Sequence, residues 1–370
     1  MLKIRPEEDS SGVRIKVVGV GGAGGNAVSR MVERLSGVDL VAINTDSQEL
    51  SADAAPVKLQ IGRRLTEGLG TGANPELGKF AANEDRAQIS ELLKGANVIF
   101  LTLGLGSGTG TGAGPVVAKI ARDNGAVVIG FVTLPFAFDG PQKMEIAQQG
   151  LLELRKHVDT LIAVSNEKIF EVVTPGTTIE IAFGMVDEIL YQGVAAISDL
   201  ITQPGLMNLD FADLRTIVTD GGDGLMGTGS AEGPNRAEEA ARLSMSNPFL
   251  KSDQLVRARN VLISIAGGQD LGIYDVRKAA TIIYDVLNPE AKRFCGTVID
   301  SNLSGLIKVT VIATGLKLVE AAKKEKEAEK EHLGRRQKLP PEEGPTLFGS
   351  QEGKDLPAFL RDRMKKEGLA

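Results

Sequence analysis

Through the first half of the chain, short apolar runs alternate with longer stretches of helical spacing. Arg14–Val20, Val38–Ile43, Asn97–Leu103, Ala126–Thr133 and Thr160–Ser165 are short runs rich in apolar residues that predict strands, Asn97–Leu103 a buried one. Helical patterns fall between them at Asn26–Leu35, from about Pro75, at Ala113–Ala121, at about 141–157 and at 167–173. Repeated strand–helix alternation predicts an α/β fold with a mostly parallel, doubly wound sheet. Thr177–Thr202 predicts one long helix whose apolar positions (Ile181, Met185, Ile189, Leu190, Val194, Ile197, Leu200, Ile201) wrap most of its surface. A helix apolar on several sides is buried between layers. Past Pro204-Gly205 the pattern predicts a smaller α+β domain, with strands at Leu214–Thr219, Val261–Ala266, Thr297–Ile299 and Ile307–Ala313 and helices near 234–245 and 272–287.

From Lys317 the chain turns to Lys, Glu, Ala, Pro and Gly, a composition that cannot bury a core and reads as a linker. Asp355–Lys366 is apolar again, with Leu356, Phe359 and Leu360 on one helical face. That is the pattern of a peptide that docks into a groove, set against the plainer reading of a solvated tail.

Glycine marks the strand ends. Gly19-x-Gly21-x-x-Gly24 opens the first βαβ unit, with Asp39 or Asp46 near the place where a dinucleotide site holds its acidic residue, so a nicotinamide dehydrogenase is the first hypothesis. A richer loop, Gly104-Leu-Gly-Ser-Gly-Thr-Gly-Thr-Gly112, joins the strand at 97–103 to the next helix, and a third, Gly68–Asn74, precedes the helix near Pro75. Glycine loops leading into helices present backbone N–H groups and positive helix ends to phosphate. Three of them on one rim suit a triphosphate better than a pyrophosphate bridge. A P-loop is excluded, because Gly72…Gly78-Lys79-Phe80 has the wrong spacing and no Ser or Thr after the lysine.

Composition narrows the chemistry. A chain of 370 residues with 42% apolar content predicts two domains and a tail. A net charge of −6, no tryptophan and 4% aromatics argue against a nucleic-acid partner. One cysteine, Cys295, excludes a disulfide framework, and two histidines, His157 and His332, are too few for a zinc site. The first residues lack the apolar core of a signal peptide, and no run of about 18 apolar residues occurs, so a cytoplasmic protein without direct membrane insertion is expected. Catalysis would then rest on carboxylates, backbone dipoles and a bound metal.

Taken together, Gly21–Asn26, Asn44-Thr-Asp46, Gly68–Pro75, Gly106–Gly112, Asn208-Leu-Asp-Phe-Ala-Asp-Leu-Arg215 and the terminal Asp355–Arg361 resemble, in order, the motifs of the FtsZ family of tubulin-like cell-division GTPases. The resemblance covers about residues 13–315 plus the terminal peptide. It implies a flexible tail over 1–12, a Rossmann-type GTP-binding domain over 13–176, a central helix over 177–202, an α+β domain over 203–316, a linker over 317–354 and a partner-binding peptide over 355–370.

The resemblance also assigns roles. Gly21, Gly22, Ala23, Gly24, Gly25 and Asn26, with Asn44 and Gly106, Ser107, Gly108, Thr109, Gly110 and Thr111, would hold GTP or GDP by its phosphates. Phe183 would stack on guanine, Asp187 would accept from its N1 and N2 donors, and Asn166 would add a contact. Read alone, Asp187 is an ordinary helix-surface acid. Asp210 and Asp213, three residues apart, could alone be a metal site, a capping arrangement or a solvated loop. In the family they enter the site of the next subunit and orient the attacking water, with Asn208 positioning the loop. The chain would therefore polymerise head to tail, hydrolyse GTP at a shared site, act at the mid-cell division ring and meet membrane-tethering proteins through Leu356, Phe359 and Leu360. Mg²⁺ is expected, with protein ligands that the sequence does not reveal.

Three residues depart from the family pattern. Asp139 and Lys143 stand where Glu and Arg are usual, shortening one side chain and replacing a bidentate guanidinium by a point charge. Ser107 stands where glycine is commoner and fits only with an ordinary backbone angle. The alternatives are a GTP-binding paralogue with weak hydrolysis and, further off, the nicotinamide dehydrogenase.

Overall fold

The apolar runs of the first half all pair in parallel. The computed structural model describes residues 12–203, 207, 209–219, 221–250 and 252–316, all within one compact unit. The linker and the terminal peptide, with Leu356, Phe359 and Leu360, lie outside the described residues, as does Asn208.

The first half runs β1 (Ile15–Val20), α1 (Gly21–Met31), β2 (Val38–Asn44), α2 (Ser47–Ala52), β3 (Val57–Gln60), α3 (Arg63–Thr66), α4 (Pro75–Glu84), α5 (Arg86–Leu93) and β4 (Val98–Gly104). It continues with α6 (Gly108–Asp123), β5 (Val127–Leu134), α7 (Pro141–Arg155), β6 (Thr160–Ser165) and α8 (Ile179–Thr202). Then follow α9 (Phe211–Val218), β7 (Gly222–Glu232), α10 (Arg236–Met245), α11 (Ser252–Leu255), β8 (Asn260–Gly267), α12 (Ile273–Tyr284), β9 (Lys292–Ile299) and β10 (Leu306–Leu316).

All ten strands form one sheet in the order β3-β2-β1-β4-β5-β6-β7-β10-β8-β9. The pairs from β3 to β7 are parallel, β10 is antiparallel to both neighbours, and β8–β9 is parallel again. The two parts of the sheet meet where Thr160–Ile162 of β6 pairs with Gly222–Gly224 of β7.

Alternate residues of the central strands feed opposite cores. Val17 and Phe100 pack with α1 and α8, whereas Val18 and Leu101 pack with α4 to α7, which is the doubly wound arrangement. By length and hydropathy alone α8 could cross a membrane. Here it is a core helix, packed on α1, on β5 and on β8, β9 and β10. Gly193 makes this possible, since a Cβ there would lie 2.4 Å from the Phe131 ring and 2.6 Å from the Met226 sulfur.

One expectation is corrected, and one strand went unread. Leu214–Thr219 is not a strand: Leu214–Val218 are most of α9, capped by Asp210 and burying Leu214, Ile217 and Val218 at helical spacing. The strand beside β6 is instead β7, Gly-Asp-Gly-Leu-Met-Gly-Thr-Gly-Ser-Ala-Glu, whose glycines hid it from any apolar pattern.

Candidate functional site

A cavity of about 1040 Å³ opens at the carboxyl ends of β1, β4, β5 and β6, where ligands bind in sheets of this kind. Its two ends differ in chemistry. At one end α1 and α6 both begin, and neither helix has a side chain capping its first N–H groups. Two positive helix ends on one wall make an anion site.

The glycine loop is built for this wall, though not every glycine faces it. Gly106 has φ +92°, a conformation that only glycine adopts freely. Ser107 follows with φ −97° and ψ 172°, ordinary extended backbone, and its hydroxyl donates to the Gly104 carbonyl at 3.1 Å. Gly106, Ser107, Gly108 and Thr109 line the cavity together with Gly22, Ala23 and Asn26 of α1. The Thr109 hydroxyl lies 2.7 Å from that of Thr45 and 3.3 Å from that of Thr71. Asn44 and Asp46 also line the wall, Asn44 Oδ1 accepting from the backbone N–H of Thr45 at 2.8 Å and Asp46 capping α2.

Gly21, Gly24, Gly25, Gly110 and Thr111 do not line this cavity. Gly24 is where α1 touches the sheet, since a Cβ would lie 2.4 Å from the Thr102 carbonyl; one at Gly25 would meet Asp53. Gly21 and Gly110 are packed against each other. Thr111 faces a second cavity of about 550 Å³ between α4, α6 and α7, and its hydroxyl accepts the Gly106 N–H at 3.0 Å. These residues shape the loop from behind.

The other end is made by α8, α1 and the end of β6. Phe183, 45% exposed, meets Phe136 edge to face at 5.6 Å, leaving ring surface toward the cavity. Asp187, one turn on, is paired with Arg30 of α1 at 2.9 Å. Burial pushes its carboxyl up to about 6, against the opposing pull of Arg30. Asn166 is buried, and its Oδ1 has no hydrogen-bond partner.

Between the two ends, Asp139 and Lys143 pair with each other at 2.7 Å, and the second Asp139 oxygen accepts from the Phe136 N–H at 2.9 Å. Two of the three departures from the family pattern thus occupy one ion pair on the cavity wall.

Asp210 and Asp213 lie elsewhere. Neither lines the cavity, and Asp210 caps α9 by accepting the Asp213 N–H at 2.7 Å, which is the capping alternative. Arg30 was not foreseen, since nothing in the sequence ties residue 30 to residue 187. Thr45 and Thr71 lie inside the quoted motifs but were given no role, and Thr102 was read only as part of a buried strand.

Comparison with known proteins agrees with this geometry. The Tubulin/FtsZ family GTPase-domain model matches residues 14–174 and the FtsZ family C-terminal-domain model matches 222–317. The solved empty FtsZ dimer of M. jannaschii superposes with a TM-score of 0.79 at 39% identity, over 84% of this chain and 90% of that one. The chain belongs to the FtsZ family. Among curated FtsZ cell division proteins, that of Caulobacter vibrioides (strain NA1000 / CB15N) is 46% identical over 304 residues, 82% of this chain and 60% of its own length. That of Magnetospirillum gryphiswaldense is 45% identical over 82% of this chain and 54% of its own length. The match thus spans little more than half of either FtsZ relative. CetZ2 from Haloferax volcanii, at 24% identity and TM-score 0.69, shares the FtsZ fold.

Proposed function

We propose that the chain binds GTP and GDP in the 1040 Å³ cavity, hydrolyses GTP and assembles head to tail into division filaments. The observation that carries this reading is the union, in one cavity, of two open helix N-termini with an aromatic face, a carboxylate and an amide. The helix ends fit the phosphates. Phe183 fits a purine face, and Asp187 fits the adjacent ring N–H and exocyclic amine that guanine has and adenine lacks. The dehydrogenase alternative is disfavoured by the family match and by the second glycine loop, Gly106–Gly108, on the same cavity wall.

Hydrolysis of a phosphoanhydride asks for positioning and charge stabilisation rather than a nucleophilic side chain. In this chain the backbone N–H groups of Gly106–Thr109 and the Lys143 ammonium would hold the phosphates. Asp210 and Asp213 of the partner subunit would orient the attacking water, with its Asn208 steadying the loop. Their absence from this chain's own cavity wall is compatible with a shared site. A heterologous contact that does not close gives an open filament, and the empty FtsZ dimer named above supports self-association.

Among the described residues no group of three or more His, Cys, Asp or Glu could hold a metal. The oxygen donors on the phosphate wall, Thr109 and Asp46, fit a hydrated Mg²⁺ arriving on the triphosphate. When bound it would neutralise charge on the phosphates. The curated relatives are named cell division proteins, which supports a cytoplasmic protein acting at mid-cell. Its tethering partners would be met through Leu356, Phe359 and Leu360.

Sedimentation and phosphate release with GTP, GDP and NAD test the reading. GTP-dependent pelleting with phosphate release supports it. Pelleting without release favours the weakly hydrolysing paralogue, for which the closed Asp139–Lys143 pair speaks. NAD binding without polymer overturns both.

A further inference from the structure

Among the described residues, only two buried side-chain polar atoms have no hydrogen-bond partner: Thr102 Oγ1 and Asn166 Oδ1. Both residues line the same cavity. Buried polar groups left unpaired are rare because each costs about 1–3 kcal/mol, so two in one place need an explanation.

The position of Thr102 sharpens the point. It is 1% exposed near the end of β4, in register between Gly19 of β1 and Phe131 of β5. Side chains on β4 alternate between the two cores, and Val98 and Phe100 belong to the core shared with α1 and α8. Thr102 is the next residue on that face, where Val186 and Leu190 of α8 also reach the cavity floor. Val98 and Phe100, which precede it on this face, are apolar, and valine has the same shape as threonine. In the free protein the Thr102 hydroxyl has no hydrogen-bond partner.

We propose that Thr102 is a nucleotide-positioning residue: its hydroxyl finds its partner only when the cavity is filled, donating to the bound guanine nucleotide or to a water ordered against it on the cavity floor. Asn166 Oδ1 supplies the acceptor on the same wall, so the floor presents one donor and one acceptor to the ligand. The inference rests on the nucleotide-binding reading above and adds to it a contact made from beneath, by the sheet rather than by the loops.

The test is calorimetric titration of GDP into the full-length protein, paired with the melting temperature of the nucleotide-free protein. Thr102→Val removes the hydroxyl and keeps the shape, while Thr102→Ser keeps the hydroxyl. The expected result is a GDP affinity lowered roughly 2- to 10-fold by valine, the worth of one net hydrogen bond. Serine should retain the wild-type affinity, and the nucleotide-free melting temperature of the valine variant should be unchanged or raised. Unchanged GDP affinity in Thr102→Val overturns the proposal. So does a drop in the nucleotide-free melting temperature of that variant, which would show that the hydroxyl serves the fold. Wild-type protein that fails to bind GDP removes the nucleotide reading itself, a result read before any variant is compared.

Discussion

Asp187 carries two opposed demands. Reading guanine's donors requires a carboxylate, yet burial raises its pKa to about 6 and only Arg30 opposes this. Because the folded value lies above the usual carboxylate value, the stabilising contribution of this group is full below about pH 4 and is lost as pH rises through about 6. Without nucleotide, the urea-unfolding free energy of Asp187→Asn relative to wild type should therefore rise between pH 5 and pH 7. A flat difference would remove the argument. GDP binding should show the converse, weakening from pH 7 to pH 5 with the GDP-over-ADP preference shrinking around pH 6. Binding near that pH should release a proton, detectable as a buffer-dependent heat.

At the scale of elements, the glycine stretch of α6 does two jobs on two faces. Gly106 turns the loop toward the cavity, while Gly112 faces away and lets α4 lie directly on α6. A Cβ at Gly112 would sit 1.9 Å from the Pro75 carbonyl and 2.8 Å from the Lys79 nitrogen, both backbone. Backbone cannot yield as a side chain can, so Gly112→Ala should destabilise the fold by at least about 1–3 kcal/mol in urea titrations. An unchanged midpoint would show that α4 is free to move away.

The same rule explains what could be read beforehand. Buried strands announce themselves, and β1, β2, β4, β5, β6, β8 and β10 were all legible as apolar runs. β7 was not, because Gly227 and Gly229 are there to admit α10, where a Cβ would lie 2.2 Å from the Ser244 carbonyl and 2.3 Å from that of Ala240. α9 was misread from its Leu, Thr, Ile and Val content, while its cap at Asp210 and the spacing of Leu214, Ile217 and Val218 carried the true signal. In the site, the motifs pointed to the right wall of the sheet. They could not separate glycines that face the cavity from glycines that pack behind it, nor find Arg30 or Thr102. Those assignments depend on contacts between segments distant in sequence.

For the whole molecule, the proposed separation of Asp210 and Asp213 from the cavity sets the decisive prediction. If two copies complete one site, Asp210→Ala mixed with Asp187→Ala should recover GTP turnover that neither variant shows alone, since an interface with the cavity of the first and the carboxylates of the second is whole. Phosphate release no higher than the sum of the two variants measured separately would place the chemistry within one chain. Asp210 also caps α9, so Asp210→Asn, which keeps a capping oxygen, should show the same complementation at nearly unchanged stability.

Two ion pairs join α1 and the turn that follows it to α8, side by side. Arg30 holds Asp187, and Arg34 holds Glu188 at 2.7 and 3.1 Å while its guanidinium covers the Tyr191 ring at 3.6 Å. Lys308 of β10 lies over the same ring at 5.9 Å. Any slide of α8 along α1 must stretch both pairs together and so change the field at Asp187. The two pairs thus tie the position of the central helix to the segment that opens the phosphate wall.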